Sequence, residues 1–196
     1  MTRQSAPIKS ESKMKFFRQS KFVIFLSSFL LLPIAAYLLE SLFYFLFEND
    51  FLSSVVFAPL LEESGKITLF LFLTTKKDFA QNNFKQNVFL ISAIGFLFGA
   101  AENLLYLASV LGSEKFFHIV LRIATAQIFH TLIPLTFLLL RKRASFVLAY
   151  VVAILSHSLW NSLIYFELNT IFIYLFALLL TLFAIYELLR IKEWHT

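Results

Sequence analysis

The chain has 196 residues, 59% hydrophobic and 15% charged, with a mean hydropathy of +0.78. That composition excludes a soluble globular domain, which runs near about 45–50% apolar and about 25% charged, and leaves an integral membrane protein. The net charge of +5 lies outside the apolar segments and points to membrane orientation rather than nucleic acid, and the absence of Cys excludes a disulfide framework or a thiolate metal site.

Residues 1–21 read as a basic cytosolic tail, and the apolar run behind them is too long for a signal-peptide core and lacks a clear A-x-A site. About 20 apolar residues cross a bilayer as a helix, which predicts spans near 22–47, 51–75, 87–111, 119–140, 145–166 and 170–190. Strands are excluded, because the segments are too long, lack alternation and would leave backbone groups unpaired in lipid. The expected fold is all-α, a polytopic membrane helical bundle of about six transmembrane helices. It forms a single domain over 22–190, with a catalytic core at 51–166, and residues 191–196 form a C-terminal tail without a lipidation box.

Lys and Arg cluster in the N-tail, in the second loop (Lys76, Lys77, Lys85), in the fourth (Arg141, Lys142, Arg143) and in the C-tail (Arg190, Lys192). The other loops hold only Lys115, so both termini are expected in the cytosol.

Charged groups inside a span are rare and usually mark function. In the second span, Glu62, Glu63 and Lys66 fall within about one turn, so Lys66 can reach either acid. The third reads GFLFGAAENLLY and puts Gly95, Gly99, Glu102, Asn103 and Tyr106 on one side, the two glycines permitting close approach of another helix. The fourth carries Arg122, Ala126, His130 and Pro134 in an i+4 ladder, and Pro134 leaves the His130 carbonyl without its helical donor. The fifth places His157 and Asn161 one turn apart. Glu62, Glu63, His130 and His157 lie near mid-span, with Glu102 a few residues away, so four helices bring acids and imidazoles to about one plane.

Taken singly, a Glu–Lys pair can be structural, a membrane His a hydrogen-bond donor and Asn161 interhelical glue. Together, three carboxylates, two imidazoles, Lys, Arg and Asn are a costly way to hold helices, which favours one buried polar site. Other polar residues are set aside. Glu40 is read as a lone acid facing the loop, Glu187 as snorkelling from a helix end, and His118 and His195 as solvated.

Such a site can hydrolyse an amide in two ways. A carboxylate can serve as general base with His and Asn donors for the oxyanion, or Glu and His can hold zinc. Without Cys or a Ser-His-Asp arrangement, covalent catalysis is the weaker route.

The boxes E-E-S-G-K (Glu62–Lys66) and F-G-A-A-E-N (Phe98–Asn103), the span with Arg122 and His130, and the closing H-S-L-W-N resemble the PrsW-type intramembrane proteases. Related CAAX-processing and bacteriocin-processing proteases look similar, but usually carry His where Glu102 stands and Arg in place of Lys66. The resemblance spans about residues 51 to 166. It implies an intramembrane endopeptidase whose Glu62 activates water, with Glu63 and Lys66 setting its charge. It further implies that Glu102 positions the water, His157 and Asn161 hold the oxyanion, and His130 joins the site. Arg122 and Asn103 support it. If a metal is bound, Glu102, His130 and His157 are its expected ligands; the reading leans to metal-free catalysis with zinc as the alternative. The implied partners are the lipid bilayer and a membrane-anchored protein substrate of the anti-sigma-factor kind, in the bacterial cytoplasmic membrane. The competing readings are a proton- or ion-coupled transporter and a non-catalytic immunity or binding protein of the same fold.

Overall fold

The computed structural model describes residues 27, 31–74, 84–110, 116–166 and 170–190. The two tails, Lys76, Lys77, Lys115 and His195 lie outside the described residues, as do the side chains of His118 and Arg122.

Helix α1 covers Leu31–Phe47. A π-helical segment, Leu52–Phe57, leads directly into α2, Ala58–Leu73. Then come α3 (Phe84–Val110), α4 (Phe116–Arg141), α5 (Phe146–Tyr165) and α6 (Thr170–Arg190), and no strand occurs among the described residues. The protein is an all-α membrane bundle, with α3 to α6 each long and apolar enough to cross a bilayer. They match the last four expected spans to within a few residues. The described part of α1 is shorter, and α2 carries three charges in its middle.

The local chemistry explains the joints. Pro59 stands in the first turn of α2, where its missing N–H costs least, and the ladder just before it widens: Ala58 N–H donates to Ser53 O, five residues back. Ser145 caps α5 by accepting from Leu148 N–H at 3.2 Å, closing a short turn after α4.

Helix α4 is the hub, packing on α2, α3, α5 and α6. Lipid is as apolar as a side chain, so close backbone approach and shape hold such helices together. The α3–α4 contact shows this: a Cβ on Gly95 would meet His130 O at 2.0 Å, and one on Gly99 would meet His130 Cβ at 2.9 Å. The carbonyl that Pro134 frees therefore rests against Gly95. On the other side of α4, Phe129 stacks on Trp160 with centroids 3.8 Å apart, and Ala149 and Ala153 of α5 are buried. Large apolar side chains on α1 and α6 face outward, Phe45 being 77% exposed. Lipid covers such a surface.

Candidate functional site: a buried acid and imidazole cluster

The polar centre is built around Lys66, whose side chain is 0% exposed. Its Nζ lies 2.5 Å from Glu63 Oε1 and 3.8 Å from Glu62 Oε2, the i+3 and i+4 pairings that the spacing predicts. It also donates to His130 Nδ1 at 3.1 Å and sits 4.5 Å from the centre of the Phe98 ring. One ammonium thus ties α2 to α3 and α4.

The two histidines are held alike. His157 Nδ1 donates to Glu63 Oε1 at 2.8 Å, which leaves Nε2 as an acceptor 3.8 Å from Glu62 Oε2. His130 accepts from Lys66 at Nδ1, so Nε2 carries its proton, 2.5 Å from Glu102 Oε2 but without the alignment of a hydrogen bond. Its Nδ1 lies 3.7 Å from Glu62 Oε2. Each imidazole therefore has a carboxylate on one nitrogen and turns the other toward Glu62.

Glu62 and Glu63 are adjacent yet placed differently. Glu63 is 0% exposed and engaged by Lys66 and His157. Glu62 is 11% exposed, and its Oε2 is buried without a hydrogen-bond partner. It also lines two cavities. One, of 410 Å³, lies between α1 and α3, and the other, of 310 Å³, lies among the π-helical segment, α2, α3 and α5. Glu102 and Glu40 line both as well. The walls of the larger cavity include the exposed side chains Tyr37 and Leu105, so it reaches the outer face of the bundle.

Several expected members take other places. Asn161 lines the smaller cavity, but its Nδ2 donates to Ser54 O in the π-helical segment at 2.7 Å, leaving one N–H for anything else. Asn103 points away from the acids, donating to Ile123 O and to Gln127 Oε1 at 3.2 and 3.3 Å. Gln127 in turn donates to Phe96 O at 2.7 Å, so this pair clamps α3 to α4. Sequence reasoning passed over Gln127, and it passed over Ser64, whose hydroxyl meets Tyr150 OH at 2.5 Å and joins α2 to α5. It also set Glu40 aside, whereas the side chain faces both cavities.

Glu62, His130 and His157 each offer one ligand atom, and the three atoms lie within 4.8 Å of one another. Three ligands about 2.1 Å from a tetrahedral zinc stand about 3.4 Å apart, close to the 3.7 and 3.8 Å that separate Glu62 Oε2 from the two ring nitrogens. Three carboxylates against one ammonium leave two formal negative charges, which a divalent ion would balance. Carboxylates behind both histidines are the usual outer support of metal ligands. This candidate trio differs from the expected Glu102, His130 and His157 in having Glu62 as its carboxylate, while Glu102 lies against the far nitrogen of His130. Lys66 must release His130 Nδ1 for the ion to enter.

A family model for PrsW family intramembrane metalloproteases matches residues 19–186. The chain belongs to this family. Comparisons with curated proteins and with solved structures give no match. Membership in the PrsW family makes the protein a membrane-embedded peptide hydrolase, in preference to the transporter and binding-protein readings. The matched region takes in α1 to α5 and most of α6, so the PrsW resemblance seen in four boxes extends over the bundle.

Proposed function

We propose that the protein cleaves a peptide bond of a membrane-anchored, single-span substrate, with the water activated at Glu62. The observation that carries this is the convergence on one point of three acceptor atoms: Glu62 Oε2, His130 Nδ1 and His157 Nε2. His130 Nδ1 already accepts from Lys66, but Glu62 Oε2 has no hydrogen-bond donor, and such a buried acceptor calls for a guest that brings protons or positive charge. Water is such a guest, and Glu62 Oε2, with no partner of its own, takes its proton. Lys66 and His157 hold Glu63, so that its charge steadies the ammonium and orients the ring while Glu62 stays open to the cavities. Glu102, 34% exposed, orients His130 and faces the arriving peptide. The free N–H of Asn161 is available to the developing oxyanion.

A second reading is favoured by the donor geometry and by the family's description as metalloproteases. Glu62, His130 and His157 would hold zinc, which supplies Lewis-acid polarisation of the peptide carbonyl. Arg122 belongs to the proposed site as a partner of Glu102 or of a substrate carbonyl. Anti-sigma-factor-like proteins of the bacterial cytoplasmic membrane are the proposed substrate type. The basic loops support an orientation with both termini cytosolic, and the proposal includes a single domain over 22–190 with its catalytic core at 51–166.

Purified protein in lipid vesicles is to be given a library of single-span peptides, with products read by mass spectrometry. The wild type is expected to release discrete fragments, and His157→Ala to lose about a hundredfold or more in rate. Fragments formed equally well by His157→Ala would overturn the assignment. A membrane-permeant chelator, with metal content measured in parallel, separates the two readings. Loss of cleavage together with loss of bound zinc selects the metal, and unchanged cleavage by metal-free protein selects Glu62 alone.

A further inference from the structure

We propose that Glu40 determines specificity, binding a cationic side chain, Lys or Arg, that the substrate carries beside the scissile bond. The inference rests on the reading of the cluster as a peptide hydrolase's site, and its test is separable from that reading.

Glu40 lies on α1, outside the boxes that carry the family resemblance. It nevertheless shares both cavities with Glu62 and Glu102. Those two acids already have cations or imidazoles against them: Lys66 and His130 for Glu62, and His130 for Glu102. No ion pair to Glu40 occurs among the described residues. Its side chain is half-buried in the cavity wall, where a charge without a cation beside it is costly. The backbone around it is fixed, because Ser53 Oγ donates to Glu40 O at 3.0 Å and Phe43 stacks on Phe57 with centroids 4.0 Å apart. The acid is thus held in place on the cavity wall.

The walls sharpen the chemistry. The larger cavity has three acids and no Lys, Arg or His among its lining residues, and the rest of its wall is apolar or aromatic, including Tyr37 and Tyr106. A low-dielectric wall strengthens the pull of its carboxylates on a cation, and aromatic faces add to it. An ammonium or guanidinium on an apolar stem fits such a space, with the stem against Leu105 and the head at Glu40. Because Glu62 borders the same cavity, that side chain belongs to a residue within one or two positions of the reacting peptide. A substrate with Ala there leaves Glu40 unpaired, and one with Glu meets like charge. Discrimination is strongest when the wrong partner strands a buried charge.

The test uses the full chain in lipid vesicles with fluorescent single-span peptides that differ at one central position, Lys, Ala or Glu, moved in turn along the middle of the span. Affinity is read by energy transfer to the labelled protein, so it is obtained whether or not cleavage occurs. At the best position, the wild type is expected to prefer Lys over Ala by about tenfold. In Glu40→Gln the ratio falls to about one, and in Glu40→Lys the Glu peptide becomes the preferred one. A wild-type ratio of about one at every position would overturn the proposal, as would a tenfold ratio that survives in Glu40→Gln. A wild type that binds with the expected ratio but never cuts would sink the proposed protease reading and leave the recognition role of Glu40 standing. Cutting without charge preference would do the reverse.

Discussion

Helices α2 and α6 use polar groups in opposite ways. The middle of α2 buries Glu63 and Lys66 completely, with Glu62 beside them, against two imidazoles and a third acid from other helices. On α6 the inward residues are Ala177, Leu180 and Ala184, and the one acid, Glu187, lies near the C-terminal end, paired with Arg143 at 3.1 Å. Both helices are apolar enough to sit among lipid and neighbours. A bundle that needed only cohesion could have made α2 like α6. The charges at the centre of α2 are explained by chemistry, and the single pair at the end of α6 by anchoring.

That contrast can be broken experimentally. The largest stability effect is expected for Lys66→Ala, which leaves Glu63 with no cation at full burial. It should cost about 3–5 kcal/mol in a reversible detergent-denaturation titration, enough to prevent recovery of folded protein. A stable Lys66→Ala protein would mean that the cluster does not depend on its ammonium. Next comes Gly95→Ala, which puts a methyl on the His130 carbonyl and forces α3 from α4, at about 1–3 kcal/mol by the same titration. Because His130 moves with that contact, cleavage should fall with stability. Gly65→Ala should cost less, since its Cβ would meet only the flexible side chain of Leu32. Arg143→Ala, in the turn between α4 and α5, removes the partner of Glu187 on α6 and should change stability by under about 1 kcal/mol, the arginine being partly exposed. Leu178→Ala, at a lipid-facing position of the same helix, should stay within about 0.5 kcal/mol. An α6 substitution costing as much as Lys66→Ala would remove the distinction between the two helices.

Much of this was legible in the residues because helical spacing is rigid. The i+3 and i+4 intervals from Lys66 to its two acids, the Gly95–Gly99 seat and the common depth of His130 and His157 all follow from one rise and one period. What escaped depended on rotation about helix axes and on irregular backbone. Whether Glu40 faces a loop or a cavity turns on how α1 leans on its neighbours, which no spacing within α1 can fix. Asn161 goes to Ser54 because a π-helical segment leaves that carbonyl available, and such a segment has no simple residue signature beyond Pro59 behind it. Asn103 and Glu102 are neighbours in sequence about a hundred degrees apart on the helix, so one turns to Gln127 and the other to His130. The candidate ligand set shifted from Glu102 to Glu62 for a similar reason: depth alone does not say which carboxylate lies between the rings and which lies behind one.

The central claim is that Glu62, and not its fully engaged neighbour, is where water reacts. The most direct measurement is the cleavage rate of a single-span peptide by Glu62→Gln in lipid vesicles, alongside its thermal unfolding. The substitution keeps shape and removes the charge of the one acid in the pair that lines the cavities. The expected result is a protein that unfolds at or above the wild-type temperature and cuts at least about a thousandfold more slowly. A folded Glu62→Gln enzyme that cuts within a few-fold of the wild type would contradict the account.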